Sequence, residues 1–226
     1  MENNSKTNAV IFDMDGVLVD SYQAHFESWR QTARQHDLDM TEQQFAATFG
    51  RTTREIITAL WGDSVSGDAV GLWDDQKELA YRRILDADFP EMAGAHELLS
   101  ALRTAGFKLA IGSSGPPENV KLVLEHLGTE LFSAAVTARD VTHGKPHPEV
   151  FLKAAAKLEI SPDHCAVVED APAGIQAARR AGMAAIALTG TAPREKLQAE
   201  AHLVIDSLDE LSPEIIASLI NRSTGQ

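Results

Sequence analysis

Two apolar textures divide the chain. Short β-rich runs fall at Ala9–Phe12, Lys108–Ile111, Ala134–Thr137, Ala166–Val168 and Ala184–Leu188. Apolar runs without polar alternation suit strands buried on both faces of a parallel sheet. Between the later runs the period becomes helical, over Ala95–Ala105, Asn119–Leu127, Pro148–Leu158 and Ala173–Ala181. This βαβα alternation predicts an α/β fold, a doubly wound parallel sheet with a Rossmann-like core.

The second texture fills the interval between the first two runs. It is about 90 residues long, where a parallel crossover needs only a dozen or so. Tyr22, Phe26, Trp29 and Ala33 recur at helical spacing and mark one apolar face. Thr41 with Gln44 has the spacing of a capping box, with Phe45 and Phe49 continuing the next helix. Ile56, Ile57 and Leu60, then Leu79, Tyr81, Ile84 and Leu85, also read as helical. The expected organisation is an α/β core, residues 1–20 and 93–226, with an inserted helical cap, residues 21–92. Asn221–Gln226 reads as a frayed tail. There is no internal repeat and no low-complexity segment.

Charge and cysteine content narrow the partners. The 226 residues carry 20 basic and 33 acidic side chains, a formal net charge of −13, so nucleic acid would meet general repulsion. Met1–Asn8 is polar, without the apolar centre of a signal peptide, and no stretch approaches a membrane span. A cytoplasmic monomer that binds no membrane is the expectation. Cys165, the single cysteine, opens an apolar run and reads as a buried small hydrophobe; a disulfide within the chain is excluded.

In an open parallel sheet, ligands bind beyond the carboxyl ends of the strands. The residues there are polar: Asp13 and Asp15 after the first run, Ser113 and Ser114 after the second, Glu169 and Asp170 after the fourth. Four carboxylates in one crevice raise one another's pKa, and burial adds to the penalty, so they need a cation. Oxygen donors suit magnesium or calcium, and no cysteine or histidine cluster points to zinc. Lys145, in a proline-stiffened segment just before a helix, could add fixed positive charge. Each element also has a plain structural explanation. Asp13 and Asp15 could be turn residues, Ser113-Ser114-Gly115-Pro116 a turn, Lys145 a solvated charge, and Glu169 and Asp170 helix caps. Their joint placement at strand ends favours chemistry.

These residues resemble the haloacid dehalogenase superfamily: Asp13-Met14-Asp15-Gly16-Val17, Ser113-Ser114, Lys145 and Glu169-Asp170 match its four motifs in order, across nearly the whole chain. The helical insertion resembles the cap of the subgroup containing sugar-phosphate phosphatases and beta-phosphoglucomutase. The second aspartate argues for phosphoryl transfer rather than dehalogenation. The resemblance implies that Asp13 attacks phosphorus and forms an aspartyl-phosphate, while Asp15 protonates the leaving alkoxide and then activates water. It implies magnesium held by Asp13, the Asp15 backbone carbonyl and Asp170, with Glu169 assisting through water. Lys145 and Ser113 would bind the transferring phosphoryl oxygens.

Cap residues are expected to choose the substrate. His25, Trp29 and Lys77 resemble beta-phosphoglucomutase positions, although Trp29 reads better as core packing. Arg51 and Arg54 lie in a segment resembling a substrate-contacting one, and Asn119 resembles a substrate contact beside Ser114. Pro116, Pro117 and Glu118 depart from the mutase pattern, since proline lacks a backbone donor and glutamate repels phosphate. The expected activity is a magnesium-dependent phosphatase acting on a small phosphorylated metabolite such as a sugar phosphate. The alternatives are beta-phosphoglucomutase or, in another class, a phosphate-binding or phosphoacceptor signalling module.

Overall fold

The computed structural model describes residues 7–62 and 65–223. In chain order these form β1 (Ala9–Phe12), α1 (Tyr22–Arg34), α2 (Glu42–Thr48), α3 (Thr53–Trp61), α4 (Ala69–Ala87), α5 (Ala95–Thr104), β2 (Lys108–Gly112), α6 (Pro117–Leu127), β3 (Ala134–Val136), α7 (Glu149–Leu158), β4 (Cys165–Glu169), α8 (Pro172–Arg180), β5 (Ala184–Leu188), α9 (Arg194–Gln198), β6 (Leu203–Ile205) and α10 (Pro213–Ser223). They divide into two compact units, one within Met1–Asp20 and Glu91–Gln226, the other Ser21–Pro90.

The first unit is the doubly wound α/β sheet that the alternation predicts. Six parallel strands lie in the order β3-β2-β1-β4-β5-β6. The order reverses at β1, which pairs with β2 on one side and β4 on the other, and such a switch point opens a crevice at the strand ends. Every residue of β1, β4 and β5 is buried, as strands covered on both faces require. Ala9 and Ile11 join Phe151, Ala154, Val167, Ile175 and Ala185 in one apolar cluster under α7 and α8. Val10 and Phe12 point to the opposite face by strand alternation, and burying a side chain the size of Phe12 is worth about 1.5–3 kcal/mol.

The second unit is four helices around an apolar core rich in aromatic side chains, with Phe26, Trp29, Phe45 and Trp73 packed together with Ile57. Thr41 and Gln44 form the expected capping box, and Thr52 with Glu55 forms another at the start of α3. Phe49 lies beyond the end of α2, where its ring packs edge-on against Tyr22 and Phe45.

Three expectations are corrected, and three elements were not expected. The insertion ends at Pro90 instead of Met92, because Glu91 bridges Val19 and the Met92 N–H donates to the Leu18 carbonyl. α6 starts at Pro117, two residues early, since proline suits the first helical position. β6, α9 and α10 went unseen; three apolar residues make too weak a pattern for a strand. Asn221 belongs to α10, which runs to Ser223, and the rest of the expected tail lies outside the described residues.

Candidate active site

The sheet backbone itself carries the first two groups. Just past β1, the Asp13 N–H donates to the Val168 carbonyl at 2.9 Å; just past β2, the Ser113 N–H donates to Val136 at 3.0 Å. Asp13 and Ser113 are therefore held by strand ladders, which are more rigid than loops. Glu169 closes β4, and Asp170 follows it. Lys145 enters from the segment before α7. Its Nζ lies 2.5 Å from Asp13 Oδ1, 2.8 Å from Glu169 Oε1 and 5.0 Å from the centre of the Phe151 ring. The Arg180 guanidinium holds this segment by donating to the Pro146 carbonyl at 2.9 Å.

Glu169 is used at both oxygens. Oε1 takes the lysine, and Oε2 accepts the N–H groups of Asp170 and Ala171 at 2.8 and 2.7 Å. Two glycines make room around the acids. A β-carbon at Gly174 would overlap the Glu169 carboxyl group, and one at Gly16 would overlap that of Asp170. Gly16 also has φ +78°, a conformation glycine adopts without strain.

The electrostatics are unbalanced. Asp13, Glu169 and Asp170 are all buried, each offers an oxygen within 4.8 Å of the others, and the ammonium of Lys145 is shared between Asp13 and Glu169. Burial pushes Asp13 up to about 7; the Lys145 charge opposes this, and Glu169 and Asp15 add to it. Burial, then Glu169 and Asp13, likewise raise Asp170 well above the usual carboxylate range. Burial alone would lower Lys145, but the charges of Asp13 and Glu169 prevail and hold it above an ordinary lysine. A buried, all-oxygen cluster with surplus negative charge fits a hard divalent cation such as magnesium.

The Asp15 side chain is partly exposed and lies outside the three-carboxylate cluster, on a tight loop closed by Gly16 N–H to Val19 O at 2.8 Å. Ser113 Oγ accepts the Gly115 N–H at 2.9 Å, which leaves its own hydrogen for donation. Ser114 is exposed, and Asn119 is buried in the first turn of α6. Glu118 is ion-paired with Arg139 at 2.8 Å, so its charge is partly offset, which weakens the repulsion expected from it. In the helical unit, Lys77 Nζ lies 3.0 Å from His25 Nδ1 and 2.7 Å from Glu78 Oε1, and His25 stacks on Tyr81 with ring centres 4.2 Å apart. Arg51 and Arg54 are exposed beside the start of α3, and Trp29 is packed in the core. One contributor was missed: the Thr191 hydroxyl donates to Asp170 Oδ2. Thr191 lies three residues past β5, where the strand-end rule applies equally well.

A family model for hydrolases of the haloacid dehalogenase-like type matches residues 7–182. The chain belongs to the haloacid dehalogenase-like hydrolases. Validoxylamine A 7'-phosphate phosphatase of Streptomyces hygroscopicus subsp. limoneus is 34% identical over 208 residues, 89% of this chain and 94% of its own length. Beta-phosphoglucomutase of Bacillus subtilis (strain 168) is 32% identical over 92% of this chain and 93% of its own. Among solved structures, a family IA, variant 3 hydrolase from Entamoeba histolytica superposes with a TM-score of 0.84 at 28% identity, covering 95% of this chain and all of that one. This haloacid dehalogenase-like hydrolase is thus matched along nearly its whole length by phosphate-ester enzymes. No described helix is long and apolar enough to cross a membrane.

Proposed function

We propose that this phosphoric monoester hydrolase takes a small phosphorylated sugar and transfers its phosphoryl group to water through Asp13. The observation that carries the proposal is the buried cluster of Asp13, Lys145, Glu169 and Asp170 at the sheet's switch point. Asp13 and Asp170, with the Asp15 backbone carbonyl, would hold magnesium, and Glu169 would assist through water. Once bound, the cation supplies charge neutralisation between two approaching anions. In the first step an Asp13 oxygen forms a bond to phosphorus as the ester P–O bond breaks, and Asp15 gives its proton to the departing alkoxide. In the second, water attacks phosphorus, Asp15 takes back a proton, and phosphate leaves Asp13 free. Lys145 and the Ser113 hydroxyl stabilise the phosphoryl oxygens, and Glu169 positions the lysine.

Water as acceptor is supported by α6. Pro116 and Pro117 remove two backbone donors from the helix start, where a second phosphate would be held. The mutase alternative is favoured by the Lys77–His25 pair in the helical unit and by the Bacillus relative. The test supplies magnesium with beta-glucose 1-phosphate and a trace of its 1,6-bisphosphate, alongside a panel of sugar phosphates. Phosphate release from the panel, lost in Asp13→Asn by roughly a thousandfold or more, is expected. Fast isomerisation with negligible phosphate release would instead make the chain a mutase.

A further inference from the structure

The segment that presents Lys145 carries a second group of metal-type donors. His143, His147 and Glu149 each place a ligand atom within 4.8 Å of the others. This overturns the expectation that histidines do not cluster. His143 and His147 are exposed, with ring centres 4.7 Å apart and planes tilted by 36°. Glu149, the first residue of α7, is only partly exposed and is fixed by the chain around it. Its Oε2 accepts the His143 N–H at 3.0 Å and lies 3.3 Å from His143 Nδ1, while both oxygens accept the Thr142 N–H at 3.2 Å.

We infer that His143, His147 and Glu149 form a surface site for a divalent transition ion of the zinc class. Two imidazoles and a carboxylate are the donors such an ion prefers, whereas magnesium prefers oxygen alone. The geometry is near the required one. Tetrahedral bonds of about 2.0–2.1 Å put neighbouring ligand atoms roughly 3.3–3.4 Å apart, which is the Glu149–His143 separation already present. His147 has to approach by no more than roughly 1.5 Å, within reach of a rotamer adjustment for an exposed side chain. The backbone N–H groups on Glu149 play the orienting part that outer hydrogen bonds play around metal-bound carboxylates. Lys153 opposes binding, since its Nζ sits 2.7 Å from Glu149 Oε1. That contact occupies Oε1, so the ion would bind Oε2, the oxygen facing His143, in competition with the Thr142 and His143 N–H groups that it accepts, with water completing the shell. Because His143 and His147 flank Lys145 by two residues on either side, occupancy would tie down the segment that holds the lysine.

The full chain, in buffer with excess magnesium to occupy the acidic cluster, is titrated with zinc by calorimetry and with copper(II) by electron paramagnetic resonance. The expected result is one equivalent of zinc bound, nitrogen hyperfine structure in the copper spectrum, and affinity lowered by roughly tenfold or more in His143→Ala and in His147→Ala. Both histidines are exposed, so each variant should melt at the wild-type temperature in chelator, and that melt is measured alongside. No zinc binding, a copper spectrum without nitrogen coupling, or undiminished binding in the double alanine variant would each overturn the inference.

Discussion

Gly174 abuts Glu169 so closely that a β-carbon on the glycine would overlap the glutamate's carboxyl group. Glu169 cannot step aside, because two backbone N–H groups and Lys145 hold it. Gly174→Ala, which improves helix propensity by up to about 1 kcal/mol, should nonetheless lose about 1–3 kcal/mol net through overpacking. Turnover should fall with it, as Glu169 drags the lysine away. Denaturant unfolding and steady-state kinetics check this; an alanine variant as stable and as active as wild type would show the contact to be soft.

Lys145 separates charge from packing in the same cluster. Lys145→Met keeps most of the volume and the contact with Phe151, yet leaves Asp13 and Glu169 without their shared cation. Turnover should drop by roughly 10²–10³, the scale of losing one electrostatic partner of a transition state. Lys145→Arg should rescue little, because a planar fork does not fit between two carboxylates shaped around an ammonium. Rates within about threefold of wild type for either variant would return Lys145 to a structural role.

The raised pKa of Asp13 makes the metal-free protein sensitive to pH. Burial pushes the Asp13 carboxyl up to about 7 in the folded chain, against about 3.9 for an ordinary aspartate. Between those values the folded state binds the proton more tightly, so stability is highest at the acid end and declines as pH rises through the window. Asp170, also raised, acts with the same sign. In chelator, the melting temperature should therefore be lower at about pH 7.5 than at about pH 5 on account of these groups, and Asp13→Asn should flatten the trend. Added magnesium should restore stability at the higher pH, where the acids are deprotonated. An unchanged slope in Asp13→Asn would remove Asp13 as its source.

Cys165 is fully buried in β4, and burial pushes its thiol up to about 12, with Asp163 adding to the shift. The thiolate is the reactive species, so iodoacetamide at about pH 8.5 should label the native chain only as fast as it opens, and the unfolded chain at once. Mass spectrometry at increasing urea then reports global unfolding from a single site. Rapid labelling without urea would mean that β4 is open in solution.

What the sequence disclosed follows the strength of each local signal. The runs that became β1, β4 and β5 are uninterruptedly apolar, and the motif acids sit at the ends of β1 and β4, so Asp13, Glu169 and Asp170 could be placed together before any coordinates. Thr191 could not, although it obeys the same rule, because a lone threonine after a strand carries no charge to attract notice. β6 is three residues long and borrows its identity from pairing with β5, which no local pattern records. His143 and His147 look unrelated to metal at a spacing of four in a proline-rich segment. Only the turn closed by His147 N–H to Gly144 O brings the rings together.

The chain leaves the α/β unit after Asp20 and returns at Glu91, and Val19 and Glu91 form an antiparallel bridge outside the sheet, reinforced by Met92 N–H to Leu18 O. Paired residues in such a bridge lie only about 5 Å apart. To the core, the 70 or so residues between are thus equivalent to a loop whose ends already touch, and the entropy of closing such a loop grows only slowly with its length. Any helical segment with adjacent termini could be spliced there without disturbing the register of the sheet. The inserted unit can change length or sequence while the carboxylates of the sheet stay where the strands put them.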